Sequence, residues 1–173
     1  ALNILSVYKN GRESGTDRTN MVTVDGNTNI LRYCEINSGI LEINNCRLFM
    51  NGTLSVLGAL KMDSPTDILE ANNGVQWYSG SNGAGLTGGV IISRGNIKLD
   101  EGCDVQMPAA VTIRMYGSYT IRNDEPTAEL GTVILETATD VNYFYGSADI
   151  NLNGDLVIKP GATLQVAHGL VLH

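Results

Sequence analysis

Short runs in which every second residue is aliphatic cover most of the chain, and a few small or polar residues separate one run from the next. Between Gly39 and Met50, for example, apolar residues stand at positions 41, 43, 46, 48 and 50. A period of two is typical of strands with one buried face, whereas the helical spacing of three and four is almost absent. The pattern therefore predicts an all-β protein.

Helix is expected only as a minor component. Residues 64–71 begin with a Ser-Pro-Thr-Asp signal and are stopped by an Asn-Asn-Gly sequence, and residues 125–130 begin with Glu-Pro-Thr and are stopped by a glycine. Each segment has the length of one or two helical turns.

The strand pairs resemble one another along the chain. Residues 39–50, 52–62, 95–107 and 154–166 each have the pattern of a strand, a short corner and a second strand, with a glycine before the first strand. A repeated unit of this kind indicates a solenoid, in which a coil buries its inward residues only by stacking on the next.

Two kinds of fold are built from short alternating strands. Asn-Gly and Asp-Gly dipeptides, such as residues 51–52 and 153–154, favour hairpins and hence an antiparallel sandwich, barrel or jelly roll. The corners at residues 44–45, 57–58 and 159–161 are too short and too closely flanked by apolar residues for clean reversals, which favours bends within a coil. We therefore predict a right-handed parallel β-helix, a single-stranded solenoid of roughly seven or eight coils.

The N-terminal part follows the pattern less regularly. It contains one predicted strand within residues 2–7, a polar loop at residues 9–20 and a second strand at residues 21–24. We interpret residues 1–28 as an irregular or capping segment, or an interrupted coil, and residues 29–173 as the β-helix. Because an apolar run immediately precedes His173 and a solenoid needs covered ends, we expect the β-helix to continue in a longer parent chain.

The composition excludes several partners. A net charge of −7 and 11 scattered Lys and Arg residues argue against nucleic acid, because phosphate binding requires clustered positive charge. The aliphatic runs fall far short of the roughly 20 apolar residues that span a bilayer. We expect neither nucleic-acid binding nor membrane insertion.

The three cysteines, Cys34, Cys46 and Cys103, lie in or beside apolar stretches. Their number and spacing fit neither a disulfide scaffold nor a Cys-x-x-Cys metal site. We predict buried free thiols, which behave as small apolar side chains, and a Cys34–Cys46 disulfide is the alternative.

Residues 149–155 begin like a calcium loop, with Asp149, Asn151 and Asn153 at positions 1, 3 and 5 and a glycine at position 6. Position 12, where such a loop needs a bidentate glutamate, is Pro160, and apolar residues alternate with the polar ones as in a strand. We therefore predict a strand with an Asn-Gly turn, no metal site and no cofactor.

The glycine-rich residues 78–89 lack the Gly-Lys-Ser/Thr ending and the following helix of a phosphate loop. We predict a flexible surface loop there.

No catalytic constellation stands out in the sequence. Asp100 and Glu101, like Asp124 and Glu125, are adjacent acids whose side chains would diverge on a strand. The sequence around His168 is similar to a short histidine motif of pectin-cleaving hydrolases, but the other motifs of those enzymes are missing. We predict corner roles for these residues and assign no catalytic residue.

Four aromatic residues are candidates for glycan contact: Trp77, Tyr78, Tyr143 and Tyr145. Aromatic rings offer flat apolar faces on which sugar rings stack. Packing in the core or on the coil faces is the simpler interpretation of the same residues.

The runs at residues 38–45, 50–56 and 153–166 resemble the NGTLTV and GNLTIxxGATLTV repeats of large secreted bacterial surface proteins, including adhesin-like proteins of the Bacteroidetes type. The resemblance implies a non-catalytic β-helical stalk or adhesive module, secreted or displayed at the cell surface. Its expected partners are neighbouring repeats of the same longer chain, with surface glycans or the secretion machinery. A polysaccharide-processing enzyme or a phage tail-spike domain on the same fold is the alternative.

Overall fold

The computed structural model describes residue 2 and residues 4–7, 21–83 and 85–173. These residues form twenty strands and no helix. The strands are β1 (Leu5–Val7), β2 (Met21–Val24), β3 (Thr28–Ile30), β4 (Cys34–Ile36), β5 (Ile40–Ile43), β6 (Arg47–Met50), β7 (Leu54–Val56), β8 (Ala59–Met62), β9 (Ile68–Ala71), β10 (Gly74–Trp77), β11 (Gly89–Ser93), β12 (Asn96–Leu99), β13 (Val111–Met115), β14 (Thr120–Asn123), β15 (Glu129–Leu130), β16 (Thr132–Leu135), β17 (Val141–Tyr145), β18 (Asn151–Leu152), β19 (Leu156–Ile158) and β20 (Thr163–Val166).

Successive strands pass in turn through three faces of a coil. Face 1 is an eight-stranded sheet in the order β1-β4-β7-β10-β12-β14-β17-β20, and face 3 is a seven-stranded sheet in the order β3-β6-β9-β11-β13-β16-β19. Face 2 contains β2-β5-β8 and β15-β18, and isolated bridges at residues 82, 86, 104 and 106 connect the two groups.

The strands on all three faces pair in parallel. On face 1 from β4 onward, paired residues of successive coils are 20 to 24 positions apart. The chain therefore winds and forms a β-solenoid of about seven turns. The predicted all-β parallel β-helix is confirmed, and the antiparallel sandwich is wrong. At the usual strand spacing of about 4.8 Å, the solenoid is about 34 Å long.

The core is a stack of inward-facing side chains from equivalent positions of successive coils. One row on face 1 is fully or almost fully buried and consists of Cys34, Leu54, Val75, Ile97, Ile121 and Phe144. Burying one large aliphatic side chain contributes about 1.5–3 kcal/mol. Because each coil covers the next, the stacking rather than any single coil stabilises the fold.

Left-handed backbone conformations help to bend the chain at its corners. Asn45, between β5 and β6, has a φ of 51°, which asparagine tolerates better than most residues. Gly161, between β19 and β20, has a φ of 88°. The corners predicted from the sequence are confirmed at residues 44–45, 57–58 and 159–161.

Both helices predicted from the sequence are wrong. Residues 68–71 form β9, with Leu69 fully buried, and residues 129–130 form β15. The parallel strands of adjacent coils supply backbone hydrogen-bond partners that a helix of one or two turns would lack. Stacking therefore overrides the local helix signals.

The described residues of the glycine-rich segment, 78–83 and 85–89, pack into the solenoid and do not form the surface loop that the sequence predicts. Leu86 forms a parallel bridge with Met62 on face 2 and is fully buried. Gly83 donates its N–H to the carbonyl oxygen of Asp104 in the next coil at 2.5 Å. Glycine allows this close approach of two backbones because it has no Cβ.

The first strands belong to the solenoid. β1 pairs with β4 on face 1 and β2 pairs with β5 on face 2. The boundary predicted between residues 28 and 29 falls at the start of β3. The polar loop predicted at residues 9–20 lies outside the described residues.

The three thiols are free and buried, as predicted, and the Cys34–Cys46 disulfide is wrong. Cys34 lies on face 1, whereas Cys46 lies just before face 3 and its thiol donates to the carbonyl oxygen of Val24 at 3.1 Å. Burial raises the pKa of Cys34 and of Cys103 to about 12. Neither of these two thiols is an effective nucleophile near neutral pH, because the thiolate is the reactive form.

Candidate functional site

A shallow groove crosses the outer surface of face 1 over four successive coils, from β12 to β20. Its volume is about 690 Å³. We call it the tyrosine groove, and its lining consists of Asp100, Glu101, Arg122, Asp124, Tyr143, Tyr145, Gly146, Ser147 and Ala167.

Strand alternation places two tyrosines side by side in this groove. Asn142 and Phe144 of β17 are buried in the core, so Tyr143 and Tyr145 point outward. The two tyrosine rings are stacked, with centroids 5.4 Å apart and an angle of 14° between their planes. The guanidinium carbon of Arg122 lies 6.0 Å from the ring centroid of Tyr145. The tyrosine pair forms the aromatic wall of the groove.

Two aspartates from successive coils occupy one row of the groove. Asp100 directly follows β12 and Asp124 directly follows β14, and these two strands pair in parallel up to their last residues. A cation two residues earlier balances each acid. Lys98 Nζ lies 2.6 Å from Asp100 Oδ1, and Arg122 Nε lies 2.6 Å from Asp124 Oδ2.

Hydrogen bonds from the neighbouring coils fix both carboxylates. Gln76 Nε2 donates to Asp100 at 3.0 Å, and the backbone N–H and hydroxyl of Ser147 each donate to Asp124 at 3.1 Å. Glu101 adds a third, exposed carboxylate at the edge of the groove. Carboxylates held in this way accept hydrogen bonds from a ligand at a small cost in side-chain entropy.

The sequence predicts corner positions for these acids but not their alignment. Asp100 and Asp124 follow strands at corners, as predicted, and His168 is exposed in the corner after β20. The stacking of the two aspartates, which are 24 positions apart, is not predicted from the sequence. The usable signal is the spacing of Ile97 and Ile121, the paired core residues that precede them.

Glu125 diverges from its neighbour Asp124, as predicted, and clamps a corner. The carboxylate of Glu125 is buried and accepts hydrogen bonds from the hydroxyl of Thr127 at 2.6 Å and from its N–H at 3.0 Å. It also accepts the N–H of Gly102, in the preceding coil, at 2.7 Å. These hydrogen bonds, those of Thr127 foremost, hold the pKa of Glu125 below its ordinary value because they favour the charged form.

The other two predicted aromatic residues lie outside the groove. Trp77 is fully buried, so its indole packs in the core and cannot contact a glycan on the surface. Tyr78, the next residue, is half-buried at the end of β10. Its backbone is one coil before Asp100, whose N–H bonds to the carbonyl oxygen of Trp77. Of the four candidates, Tyr143 and Tyr145 are therefore the two that line the groove.

The segment that resembles a calcium loop bonds to protein groups. Asp149 accepts the N–H of Val171 at 2.9 Å and lies 3.4 Å from Nε2 of His173, and these contacts lower the pKa of Asp149. The side-chain amides of Asn151 and Asn153 donate to carbonyl oxygens of earlier coils. Within the part of the chain that the structure describes, no group of three His, Cys, Asp or Glu side chains is arranged to hold a metal ion.

Protein-family models, curated proteins and solved structures contain no match to this chain. Among the described residues there is no helix of sufficient length and apolar character to cross a membrane. The solenoid and the tyrosine groove are the two features that support a function.

Proposed function

We propose that this chain is a structural module of a secreted cell-surface protein, a stalk or adhesive segment without catalytic activity. The observation that supports this function is the continuous parallel ladder of face 1, which extends from β1 to β20. An unbroken stack of coils holds its two ends and its surface groups at fixed distances. Such rigidity is what a stalk supplies.

Ion pairs on the outer surface add connections between coils. Lys61 Nζ lies 2.5 Å from Glu42 of the preceding coil. Glu70 is paired with Arg47 of the coil before it and with Arg94 of the coil after it, the latter at 3.2 Å. An exposed pair contributes at most about 1 kcal/mol, but a repeated network along the axis resists bending.

Secretion is compatible with the cysteine chemistry. Cys34 and Cys103 are buried and their pKa values are raised to about 12. Because the thiolate is the form that is oxidised, these two thiols react slowly in an oxidising medium. We place the module outside the cell, with neighbouring repeats of the same chain and surface glycans as its partners. Extracellular labelling of the native protein with an antibody tests this location.

A glycan array combined with a hydrolase and lyase screen tests the absence of catalysis. We expect no release of reducing ends or unsaturated sugars from any glycan, with a heat-denatured sample as the background control. Turnover by the folded protein contradicts the stalk function.

A polysaccharide-processing enzyme or tail-spike domain is the second candidate. The stacked carboxylates of Asp100 and Asp124 favour it, because glycosidases use a pair of carboxylates. Against it, Lys98 and Arg122 already pair with these two acids. If the screen detects turnover, the Asp124→Asn variant assigns it: loss of turnover in a folded variant places catalysis in the tyrosine groove.

A further inference from the structure

The tyrosine groove follows the solenoid axis, which suits an extended ligand. Its lining comes from successive coils, represented by Asp100, Asp124, Ser147 and Ala167. The coils are spaced by about 4.8 Å. An extended β-1,4-linked pyranose chain advances by a similar distance per sugar. A polysaccharide aligned with the axis would therefore present about one sugar to each coil.

The groove combines the two contacts that bind sugars. Tyr143 and Tyr145 supply aromatic surface for the C–H faces of pyranose rings. Asp100, Glu101 and Asp124 supply carboxylate oxygens that accept hydrogen bonds from hydroxyl groups. The two aspartates are already fixed by bonds to neighbouring coils, so little side-chain entropy is lost on binding.

Charge narrows the class of ligand. The lining contains three carboxylates and one guanidinium, that of Arg122. Arg122 pairs with Asp124 and Lys98 pairs with Asp100, so Glu101 leaves the groove with one net negative charge. The chain as a whole has a net charge of −7. A uronate or sulfated polysaccharide would bring like charge into this groove, and such contacts disfavour binding. The groove is therefore suited to an uncharged chain.

We propose that the tyrosine groove binds a neutral β-1,4-linked polysaccharide along the solenoid axis. Tyr143, the more exposed ring of the pair, is the main stacking surface, and Asp100, Glu101 and Asp124 accept hydrogen bonds from the sugar hydroxyls. The inference rests on the proposed function, because it assigns the adhesive contact of the module to one site and one class of ligand.

Titration calorimetry and NMR titration with three probes of equal length test this inference. The probes are a neutral β-1,4-linked glucan hexasaccharide, a β-1,4-linked hexamannuronate of matched linkage, and hexalysine. We expect the glucan to bind at least about tenfold more tightly than hexamannuronate, because the uronate carboxylates are repelled. We expect no binding of hexalysine at the concentrations at which the glucan saturates the groove.

Two tyrosine variants locate the binding site. Tyr143→Ala is expected to weaken glucan binding about tenfold, the effect of losing one stacking contact. Tyr33→Ala is the matched control, because Tyr33 is 39% exposed, close to the 38% of Tyr143, and lies outside the groove. We expect this control to bind glucan like the unmodified protein, and circular dichroism verifies that both variants are folded.

Each contrary outcome has a distinct meaning. Tighter binding of hexamannuronate than of glucan overturns the inference, and so does binding of hexalysine alone, which would indicate a cationic peptide as the ligand. Glucan binding that is unchanged in Tyr145→Ala and Tyr143→Ala also overturns it. The absence of glucan binding overturns the groove assignment but leaves the stalk function standing. Cleavage of the bound glucan contradicts the stalk function and supports the groove as a sugar site.

Discussion

Asp67 stabilises the corner before β9 although its side chain has no access to solvent. Its carboxylate accepts the N–H groups of Asp63 and Ser64, each at 2.9 Å. It also accepts the N–H of Asn45, in the preceding coil, at 2.6 Å. One buried acid therefore satisfies three backbone donors and ties two coils together.

We expect Asp67→Ala to lower the free energy of unfolding by about 3 kcal/mol, because buried N–H groups lose their acceptor. Urea denaturation monitored by circular dichroism measures the change. Asp63→Ala is the matched control: the Asp63 side chain is 54% exposed, and its loss should cost less than about 1 kcal/mol. Equal losses of unfolding free energy in the two variants would contradict the role of the Asp67 carboxylate as acceptor for the three N–H groups.

Glu125 should make stability depend on acid pH. Because its pKa is lowered on folding, the unfolded chain takes up the proton first as the pH falls. The stabilisation is complete above the ordinary carboxyl pKa of about 4.5 and is lost as the pH drops through the lower folded value.

We therefore expect the denaturation midpoint of Glu125→Gln to vary less than that of the unmodified protein between about pH 5 and pH 3. Thr127→Val removes one of the donors and should flatten the profile in the same direction but to a smaller extent. Urea midpoints across this pH range provide the measurement. A Glu125→Gln profile as steep as that of the unmodified protein would show that this carboxylate is not responsible.

Which aromatic residues face outward was only partly predictable from the sequence. Adjacent residues of a strand point to opposite sides, so Trp77 and Tyr78 cannot both be exposed. The pattern alone does not decide between them. Trp77 pairs with the buried Val56 and Leu99 of the adjacent coils, and this register assigns the indole to the core.

At the scale of elements, the strand-and-corner units were predictable because alternation is a local signal. The strands β9 and β15 were not predictable, because residues 64–71 and 125–130 carry local helix signals, and only pairing with the adjacent coils makes part of each segment a strand. The alignment of Asp100 with Asp124 in one row could not be predicted from the sequence either. Coil length varies from 20 to 24 residues on face 1, so residues that stack cannot be found by counting a fixed period.

Close approach of two coils makes one glycine indispensable at the start of β10. Gly74 has a φ of 94°, and a Cβ there would overlap the backbone of Asn96 in the next coil. We expect Gly74→Ala to destabilise the protein by at least about 2 kcal/mol, from backbone strain and the displaced strand.

Gly26→Ala provides the comparison for Gly74→Ala, because a Cβ at Gly26 would have no atom within 4 Å. Its effect should stay within about 0.5 kcal/mol. Thermal and urea unfolding of the two variants measure the difference. A mild effect of Gly74→Ala would mean that β10 and β12 can separate without loss of stability.

At the scale of the whole molecule, the stacked architecture predicts graded stability. Each coil contacts its neighbours only, so β9, β11 and β13 have coils on both sides, whereas β19 and β20 are at one end of the described stack. Hydrogen exchange followed by mass spectrometry should show the slowest exchange in the central strands and faster exchange toward β19 and β20.

A core truncation in the centre tests whether stability propagates from coil to coil. Ile113 of β13 is fully buried and pairs with Ile91 and Val133 of the adjacent coils, so Ile113→Ala should cost about 2–4 kcal/mol. Hydrogen exchange should accelerate most in β11, β13 and β16 and least in β4, because the lost contacts act on nearest neighbours. Thr112→Ala, on the outer side of the same strand, is the control and should change exchange little. An equal acceleration in every strand would show that the solenoid unfolds as one cooperative unit, and the nearest-neighbour description would be wrong.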